Sequence, residues 1–151
     1  MSSASRPLFV YGTLRDADVL AAVLGRLDGQ KTAIAASAPG YRAVFVPDRT
    51  YPALLADRTA TAPGLLLKGL AQADVALLDF FEGEEYSRGA IEIIVSGEPV
   101  AADVYWSVVP VPADAPQWEL EAWAGRYKAA FLAAETETIA QLHRRLSSLT
   151  R

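Results

Sequence analysis

The chain has 151 residues, a net charge of −4 and 52% hydrophobic residues, which predicts one compact domain with a sizeable core. The acidic balance gives no electrostatic footprint for nucleic acid or an anionic membrane, and no apolar run approaches the roughly 20 residues of a membrane helix. The absence of cysteine excludes disulfides and thiolate chemistry. We expect a soluble, cytoplasmic protein: a flexible tail over residues 1–6 and a single domain over residues 7–151.

The chain begins with a short strand and a helix that are joined by a tight connection. Residues 8–11 form an apolar, β-favouring run, typical of a buried strand. Asp16 is a suitable N-cap for a helix over residues 17–24, and Gly25 would end it. In the connection, residues 12–15, backbone N–H groups are paired by neither element and could face a ligand oxygen. It is either an ordinary turn or part of a binding site.

The next segment predicts several strands. Residues 32–37 and 41–46 read as a strand pair around a Pro39-Gly40 turn. Residues 51–55 resume after a polar loop, with a proline that suits the first residues of a strand. Residues 65–70 form a nearly continuous apolar run, which favours a strand buried on both faces.

An apolar helix over residues 73–81 is predicted to end on Glu82, because Gly83 follows and glycine is the usual residue just past a helix. Glu82 then lies beside bulky apolar side chains and at the negative pole of the helix dipole. Both surroundings disfavour the ionised carboxylate and should raise its pKa, as general acid/base catalysis requires. The alternative is a solvated acid in a turn with Glu84 and Glu85.

Residues 90–108 predict two strands joined by a hairpin turn. Tyr86 and Arg88 lie on the approach to the first strand, within reach of a helix end at Glu82. In the second strand Tyr105 should point to the face opposite its two neighbours.

The C-terminal part predicts a surface loop over residues 110–116 and then a long helix. Its apolar stripe recurs at three- and four-residue steps, so one face should pack on the sheet; the stripe consists of Leu120, Trp123, Tyr127, Phe131, Ala134, Leu142, Leu146 and Leu149. Gly125 could divide this helix in two. The last turns either extend from the body or contact another subunit, which leaves a homodimer open.

The usual nucleophile and metal systems lack their parts. The single histidine, His143, is placed near a helix C-terminus, where positive charge suits the dipole. With one histidine and no cysteine, zinc sites and Ser-His or Cys-His systems are incomplete. A carboxylate alone suits chemistry in which the substrate brings its own nucleophile and the protein moves protons and positions atoms.

Three segments together resemble the gamma-glutamylcyclotransferase-like superfamily. They are residues 8–15 (LFVYGTLR), 78–83 (LDFFEG) and 86–88 (YSR), and the similarity is closest to the gamma-glutamylamine cyclotransferase branch. Residues 51–53 and 104–106 fall where that branch has similar short patches. The resemblance covers about residues 7–123.

The resemblance implies an α+β fold, a small mixed, twisted, barrel-like sheet flanked by helices, and a cofactor-free reaction without a metal. The α-amine of a small γ-glutamyl amide attacks its own γ-carbonyl, which releases an amine and 5-oxoproline. This is a lyase-type step, historically grouped with acyl transfer. Glu82 would be the catalytic acid/base. The implied substrate-binding residues are Tyr11, Gly12, Thr13 and Leu14, which offer backbone N–H groups, with Tyr86 and Tyr105 as hydrogen-bonding partners and Arg88 as a carboxylate partner or a structural residue.

The chain differs from other branches at Thr13, Leu14 and Arg15, and this difference disfavours the glutathione-acting branches. The acids Glu84 and Glu85 suggest a preference for a cationic leaving amine. The alternative function is a non-catalytic module that binds a γ-glutamyl or 5-oxoproline-like ligand.

Overall fold

The computed structural model describes residues 6–25 and 33–149, which fold into a closed five-stranded barrel flanked by helices. The mixed α+β prediction is therefore confirmed. In chain order the elements are strand β1 (Leu8–Val10), a 3-10 turn (Thr13–Arg15), helix α1 (Ala17–Leu24), strands β2 (Ala33–Phe45) and β3 (Pro52–Leu67), helix α2 (Gln72–Glu82), a second 3-10 turn (Gly83–Glu85), strands β4 (Tyr86–Val95) and β5 (Glu98–Ser107), and helices α3 (Leu120–Arg126) and α4 (Lys128–Leu149).

The strands follow one another around the barrel in the order β1, β3, β2, β4, β5. All neighbouring pairs are antiparallel except β1 and β5, which run parallel and close the barrel at Leu8 and Asp103. Because β1 and β5 run in the same direction, Tyr11, just past the end of β1, comes close to Tyr105 near the end of β5: the Tyr11 hydroxyl donates to the Tyr105 carbonyl at 2.6 Å.

Strands β2 and β3 form one long hairpin, which corrects the predicted strand pair within residues 32–46. The Pro39-Gly40 turn is wrong: β2 runs through these residues with a register shift between Pro39 and Tyr41. A β-bulge allows a strand to bend without ending, so the proline and glycine bend β2 where a turn was predicted. Likewise, residues 51–55 and 65–70, predicted as separate strands, contribute to one strand, β3, which begins at Pro52 and ends at Leu67. Residues 68–70 lie beyond it.

Successive side chains of a strand point to opposite faces of the sheet, and the apolar ones form two clusters, one on each face. Phe9 and Leu66 lie in one cluster, together with other inward-facing barrel residues. Leu8, Leu67 and Tyr105 lie in the other, which packs against the helices. Tyr105 thus points away from its strand neighbours, as predicted, and faces the helical layer.

Helices α1 and α2 begin and end where local sequence signals place them. The Asp16 carboxylate accepts from the N–H groups of Asp18 and Val19 at 2.9 and 3.1 Å, and α1 ends at Gly25 (φ 73°). Helix α2 ends on Glu82, as predicted. Gly83 follows with φ 73° and ψ −161°, a combination that is accessible essentially to glycine alone. The open space around it shows that the backbone, and not crowding, requires this glycine.

The C-terminal helix is divided, but at Tyr127 (φ −121°) and not at Gly125. Trp123 and Phe131 lie on either side of this break and are in contact, with ring centroids 5.5 Å apart. Near the end of α4, His143 Nε2 lies 2.8 Å from the Val23 carbonyl oxygen, so this turn packs on α1 and does not extend from the body.

The loop over residues 110–116 and the hairpin turn after β4 are as predicted. Residues 1–5 and 32 lie outside the described part of the chain, so the N-terminal tail stays a prediction. Arg6, its last predicted residue, places Nε 3.2 Å from Asp103 Oδ1. No helix within residues 6–25 and 33–149 has the length and apolarity needed to cross a membrane.

Candidate active site

One end of the barrel brings together segments that are far apart in sequence. Tyr11 and the first 3-10 turn follow β1, Glu82 ends α2, and Tyr86 begins β4. The β2–β3 connection, residues 46–51, lies against them, since the ring centroids of Tyr51 and Tyr86 are 5.9 Å apart. Trp118 Nε1 donates to the Thr50 carbonyl at 2.9 Å on the same connection.

These segments enclose a small inner cavity of about 30 Å³. It is lined by Phe9, Val10, Tyr11, Gly12, Thr13, Leu14, Tyr51, Pro52, Glu82, Tyr86 and Tyr105. All the predicted site residues except Arg88 are therefore brought together in one place.

A larger outer cavity of about 250 Å³ adjoins the inner one. The two share Thr13, Tyr51, Glu82 and Tyr86. The remaining lining residues of the outer cavity are Thr50, Phe81, Glu85, Trp123, Phe131 and Glu135. Glu82 thus stands where the small inner cavity meets the larger outer one, and five aromatic side chains line each of them.

Glu82 is partly buried at this junction. Burial, and secondly the negative charge of Asp79, raise the pKa of Glu82 to about 8. The direction agrees with the prediction, and burial was one of its two predicted causes. Asp79 was missed, although it lies one helical turn before Glu82, a spacing that places both side chains on the same face.

Asp79 itself is held by an arginine and a tyrosine. Arg88 Nε and Nη2 lie 3.0 and 3.3 Å from its carboxylate oxygens, and the Tyr105 hydroxyl donates to it at 2.6 Å. Arg88 also reaches Asp103 at 3.2 Å. Arg88 does not line either cavity, so its contacts support the structural alternative that the sequence left open.

Glu85 is likewise held by an arginine and a tyrosine, which come from a different part of the chain. Arg49 Nη2 lies 2.6 Å from one Glu85 oxygen and Arg49 Nε lies 3.1 Å from the other; the Tyr51 hydroxyl donates to Glu85 as well. The hydrogen bonds from Arg49 and then from Tyr51 lower the pKa of Glu85. Glu84 is exposed and lines neither cavity.

The tyrosines around the inner cavity all use their hydroxyl protons within the protein. Tyr11 donates to the Tyr105 carbonyl at 2.6 Å, and Tyr86 donates to the Pro52 carbonyl at 2.5 Å. Burial is the first cause that raises the pKa of each of these phenols, so they stay protonated. A hydroxyl that already donates can still accept, so these oxygens are suited to accept from a ligand N–H.

The turn after β1 supplies donors to the same cavity. Thr13 and Leu14 are the first residues of the 3-10 turn, so no carbonyl one turn earlier accepts their N–H groups. A Cβ atom at Gly12 would lie 2.8 Å from Pro52 Cγ. Only glycine therefore lets the turn approach the start of β3 this closely.

The site residues that sequence reasoning missed come mainly from outside the three motif segments. Tyr51 lies in one of the short patches noted in the sequence, but nothing there indicated its bond to Glu85. Arg49 and Glu135 carried no local signal, and Phe131 was recognised only as part of an apolar helix face, because their roles at the site depend on which segments pack together. Within the described residues, no three carboxylate, histidine or cysteine side chains group closely enough to hold a metal ion.

Comparison with known proteins agrees with this architecture. Residues 8–128 match the sequence model of the family described as gamma-glutamyl cyclotransferase, AIG2-like. AIG2-like protein C of Arabidopsis thaliana is 30% identical over 134 residues, which cover 87% of this chain and 76% of that protein.

Two solved structures resemble the fold. A solution structure of an Arabidopsis thaliana protein has a TM-score of 0.64 and 26% identity, and the match covers 93% of this chain and 94% of that one. A structure named gamma-glutamyl cyclotransferase has a TM-score of 0.55 and 13% identity, over 68% of this chain and 66% of that one. At such low identity the second likeness concerns the fold alone.

Proposed function

This chain belongs to the AIG2-like gamma-glutamyl cyclotransferase family, and from that premise we propose that it cyclises a γ-glutamylamine to 5-oxoproline and releases the free amine. Glu82 would act as the general acid/base. The observation that carries the proposal is the position of Glu82, partly buried at the junction of two cavities with its pKa raised to about 8.

The proton transfers are well matched energetically. The substrate's α-ammonium has a pKa of roughly 8 or above, so a Glu82 carboxylate whose pKa is about 8 can take its proton at modest cost. Glu82 takes this proton, the freed α-nitrogen forms a bond to the γ-carbonyl carbon, and a five-membered ring closes. Glu82 then gives this proton to the amine nitrogen as its bond to that carbon breaks, and the ring nitrogen loses its second proton to the released amine, which leaves as an ammonium. No water is consumed.

Ring closure within one molecule gains an effective molarity on the order of 10⁵ M or more in favourable cases, provided that the chain is held bent. The hydroxyl oxygens of Tyr11 and Tyr86 would accept from the α-ammonium and its N–H groups. The N–H groups of Thr13 and Leu14 would donate to the α-carboxylate or to the developing oxyanion; one such donor typically contributes about 3 kcal/mol. Tyr105 would act in the inner cavity, although its hydroxyl proton is committed to Asp79.

The gamma-glutamylamine branch is favoured here because the turn sequence Thr13-Leu14-Arg15 departs from that of glutathione-acting relatives. A cytoplasmic location and a homodimer both stay predictions.

The test is to incubate the protein with γ-glutamyl-ε-lysine, γ-glutamyl dipeptides, glutathione and simple γ-glutamylamines, and to quantify 5-oxoproline. We expect release from the amines, and a fall in kcat/KM of about 10²–10⁴-fold in Glu82→Gln. Glu84→Gln is the matched control, because Glu84 is an exposed acid two residues away and should retain activity. No release from any substrate would contradict the proposal and favour the non-catalytic binding module.

A further inference from the structure

We propose that the outer cavity binds the amine half of the substrate and selects amines with an apolar, preferably aromatic, body and no carboxylate. This inference rests on the proposed function, since it takes Glu82 as the point beside which the γ-amide lies. It adds a substrate class and names Phe81 and Phe131 as the residues that determine it.

The first step is geometric. The two cavities meet at Glu82, Thr13, Tyr51 and Tyr86, so an amide beside Glu82 directs one half of the substrate into each. The inner cavity, at about 30 Å³, is narrow and carries the turn N–H groups. Its residues Tyr11, Thr13 and Leu14 are those assigned to the glutamyl half, so the outer cavity, at about 250 Å³, is left for the amine.

The second step is the wall of the outer cavity. Phe131 makes edge-to-face contacts with Phe81, at a centroid distance of 6.0 Å and an angle of 85°, and with Trp123, at 5.5 Å and 69°. Trp123 is only 2% exposed and packs against Phe131, whereas Phe81 and Phe131 are partly exposed. Rings locked in this way present a fixed apolar surface, against which another ring stacks favourably.

The third step is charge. The outer cavity has no lysine, arginine or histidine among the described residues that line it. The charge of Glu85 is offset by Arg49, whose Nη2 lies 2.6 Å away, and Glu135 is a further acid in the lining. A carboxylate on the amine half would find no cation in the lining and would face an acid. The earlier reason to expect a cationic amine is weakened, because Glu84 is outside the cavity and Glu85 is already paired.

Three probes separate these contributions: γ-glutamyl-phenethylamide, γ-glutamyl-ethylamide and γ-glutamylphenylalanine. The first two differ by a phenyl ring, and the first and third differ by one carboxylate. We expect kcat/KM for 5-oxoproline release to be about tenfold higher for the phenethylamide than for either of the others, as burial of a ring implies. Equal values for the three, or a higher value for the cationic γ-glutamyl-5-aminopentylamide, would overturn the inference.

Neighbouring residues of α2 provide a matched pair of variants. Phe81 lines the outer cavity, whereas Phe80 is 47% exposed and does not. Phe81→Ala should bring the phenethylamide-to-ethylamide ratio close to one, and Phe80→Ala should keep it near ten. Phe131→Leu retains apolar volume and serves as the second variant if Phe81→Ala does not fold; it should lower the ratio about threefold. An unchanged ratio in a folded Phe81→Ala or Phe131→Leu protein would contradict the assignment.

Failure of the reaction can be distinguished from failure of the cavity. Calorimetry with Glu82→Gln measures binding of the phenethylamide and the ethylamide without turnover. Affinity about tenfold higher for the phenethylamide supports the inference even if the wild-type protein releases no 5-oxoproline, a result that would contradict the proposed function alone. Equal affinity, or no binding of either amide, overturns the inference.

Discussion

Asp79 and Glu85 lie three residues on either side of Glu82, and these two flanking acids differ from the middle one in their partners. Each flanking acid contacts both an arginine and a tyrosine. Within the described part of the chain, no arginine or lysine forms an ion pair with Glu82, and its pKa rises while that of Glu85 falls. The pKa values of Glu82 and Glu85, two glutamates three residues apart, therefore shift in opposite directions, because partners and burial, not residue type, set their charge.

The flanking pairs also hold the site together. Arg88 and Tyr105, from β4 and β5, hold Asp79 in place, while Arg49, from the β2–β3 connection, holds Glu85. The two ion pairs lie on opposite sides of Glu82 in the sequence and tie the end of α2 to different parts of the barrel. Glu82 keeps its position without needing a cation of its own.

The largest expected effect comes from placing a cationic side chain beside Glu82, so that it is paired as Asp79 and Glu85 are. Thr13 lines both cavities, and Thr13→Lys should place an ammonium close to Glu82 and lower its pKa, as an opposite charge within about 4–6 Å does. The base would no longer match the substrate ammonium, so we expect kcat/KM to fall by about 10²-fold or more. Steady-state release of 5-oxoproline measures this.

Thr13→Met is the control, since it adds similar length without charge and keeps the backbone N–H. It should lose about tenfold less activity than Thr13→Lys. Equal losses in the two variants would show that the effect is steric and that the unpaired state of Glu82 does not matter.

The second prediction concerns stability. Because the pKa of Glu82 is raised to about 8 in the folded protein, the folded state binds a proton between about pH 4.5 and 8 that the unfolded chain has released. Folded stability therefore falls as the pH rises through this window. Glu82→Gln removes this titration and should be more stable than the wild type by about 1–3 kcal/mol above pH 8, a value reduced for partial exposure.

Thermal or urea unfolding at pH 4.5, 6.5 and 8.5 provides the measurement, with Glu84→Gln as an exposed comparison that should show no such trend. If the difference in unfolding free energy between Glu82→Gln and the wild type stays constant from pH 4.5 to 8.5, Glu82 is not the residue that retains the proton.

The smallest expected effect comes from Asp79→Asn. Asp79 is the second cause of the raised pKa of Glu82, after burial, so its neutralisation should move the ascending limb of the kcat/KM–pH profile to lower pH by about 0.5–1 unit. Asparagine retains an oxygen that can accept from Tyr105. If the limb does not move while the protein stays folded, the charge of Asp79 does not act on Glu82.

The helix end at Glu82, the turn after β1 and the N-cap at Asp16 follow from local sequence alone. The apolar run before Glu82 and the glycine after it fixed a helix end, and burial there indicated the direction of its pKa. The turn after β1 and the N-cap at Asp16 were equally local, since neighbouring residues satisfy the backbone groups. Together with the family motifs, these signals identified the α+β fold and seven of the residues that line the inner cavity, namely Tyr11, Gly12, Thr13, Leu14, Glu82, Tyr86 and Tyr105.

Which acids are paired with arginine, and which residues line the outer cavity beside Glu82, depend on tertiary contacts. The partners of Glu85 come from the β2–β3 connection. The aromatic wall joins Phe81 to Trp123 and Phe131, which lie on either side of the helix break at Tyr127, a residue that is neither glycine nor proline. Strand β2 continues through Pro39 and Gly40 because pairing with β3 outweighs their turn preference. Ion pairs, stacked rings and strand register join segments far apart in the chain, and their free energy depends on distances that a local pattern does not contain.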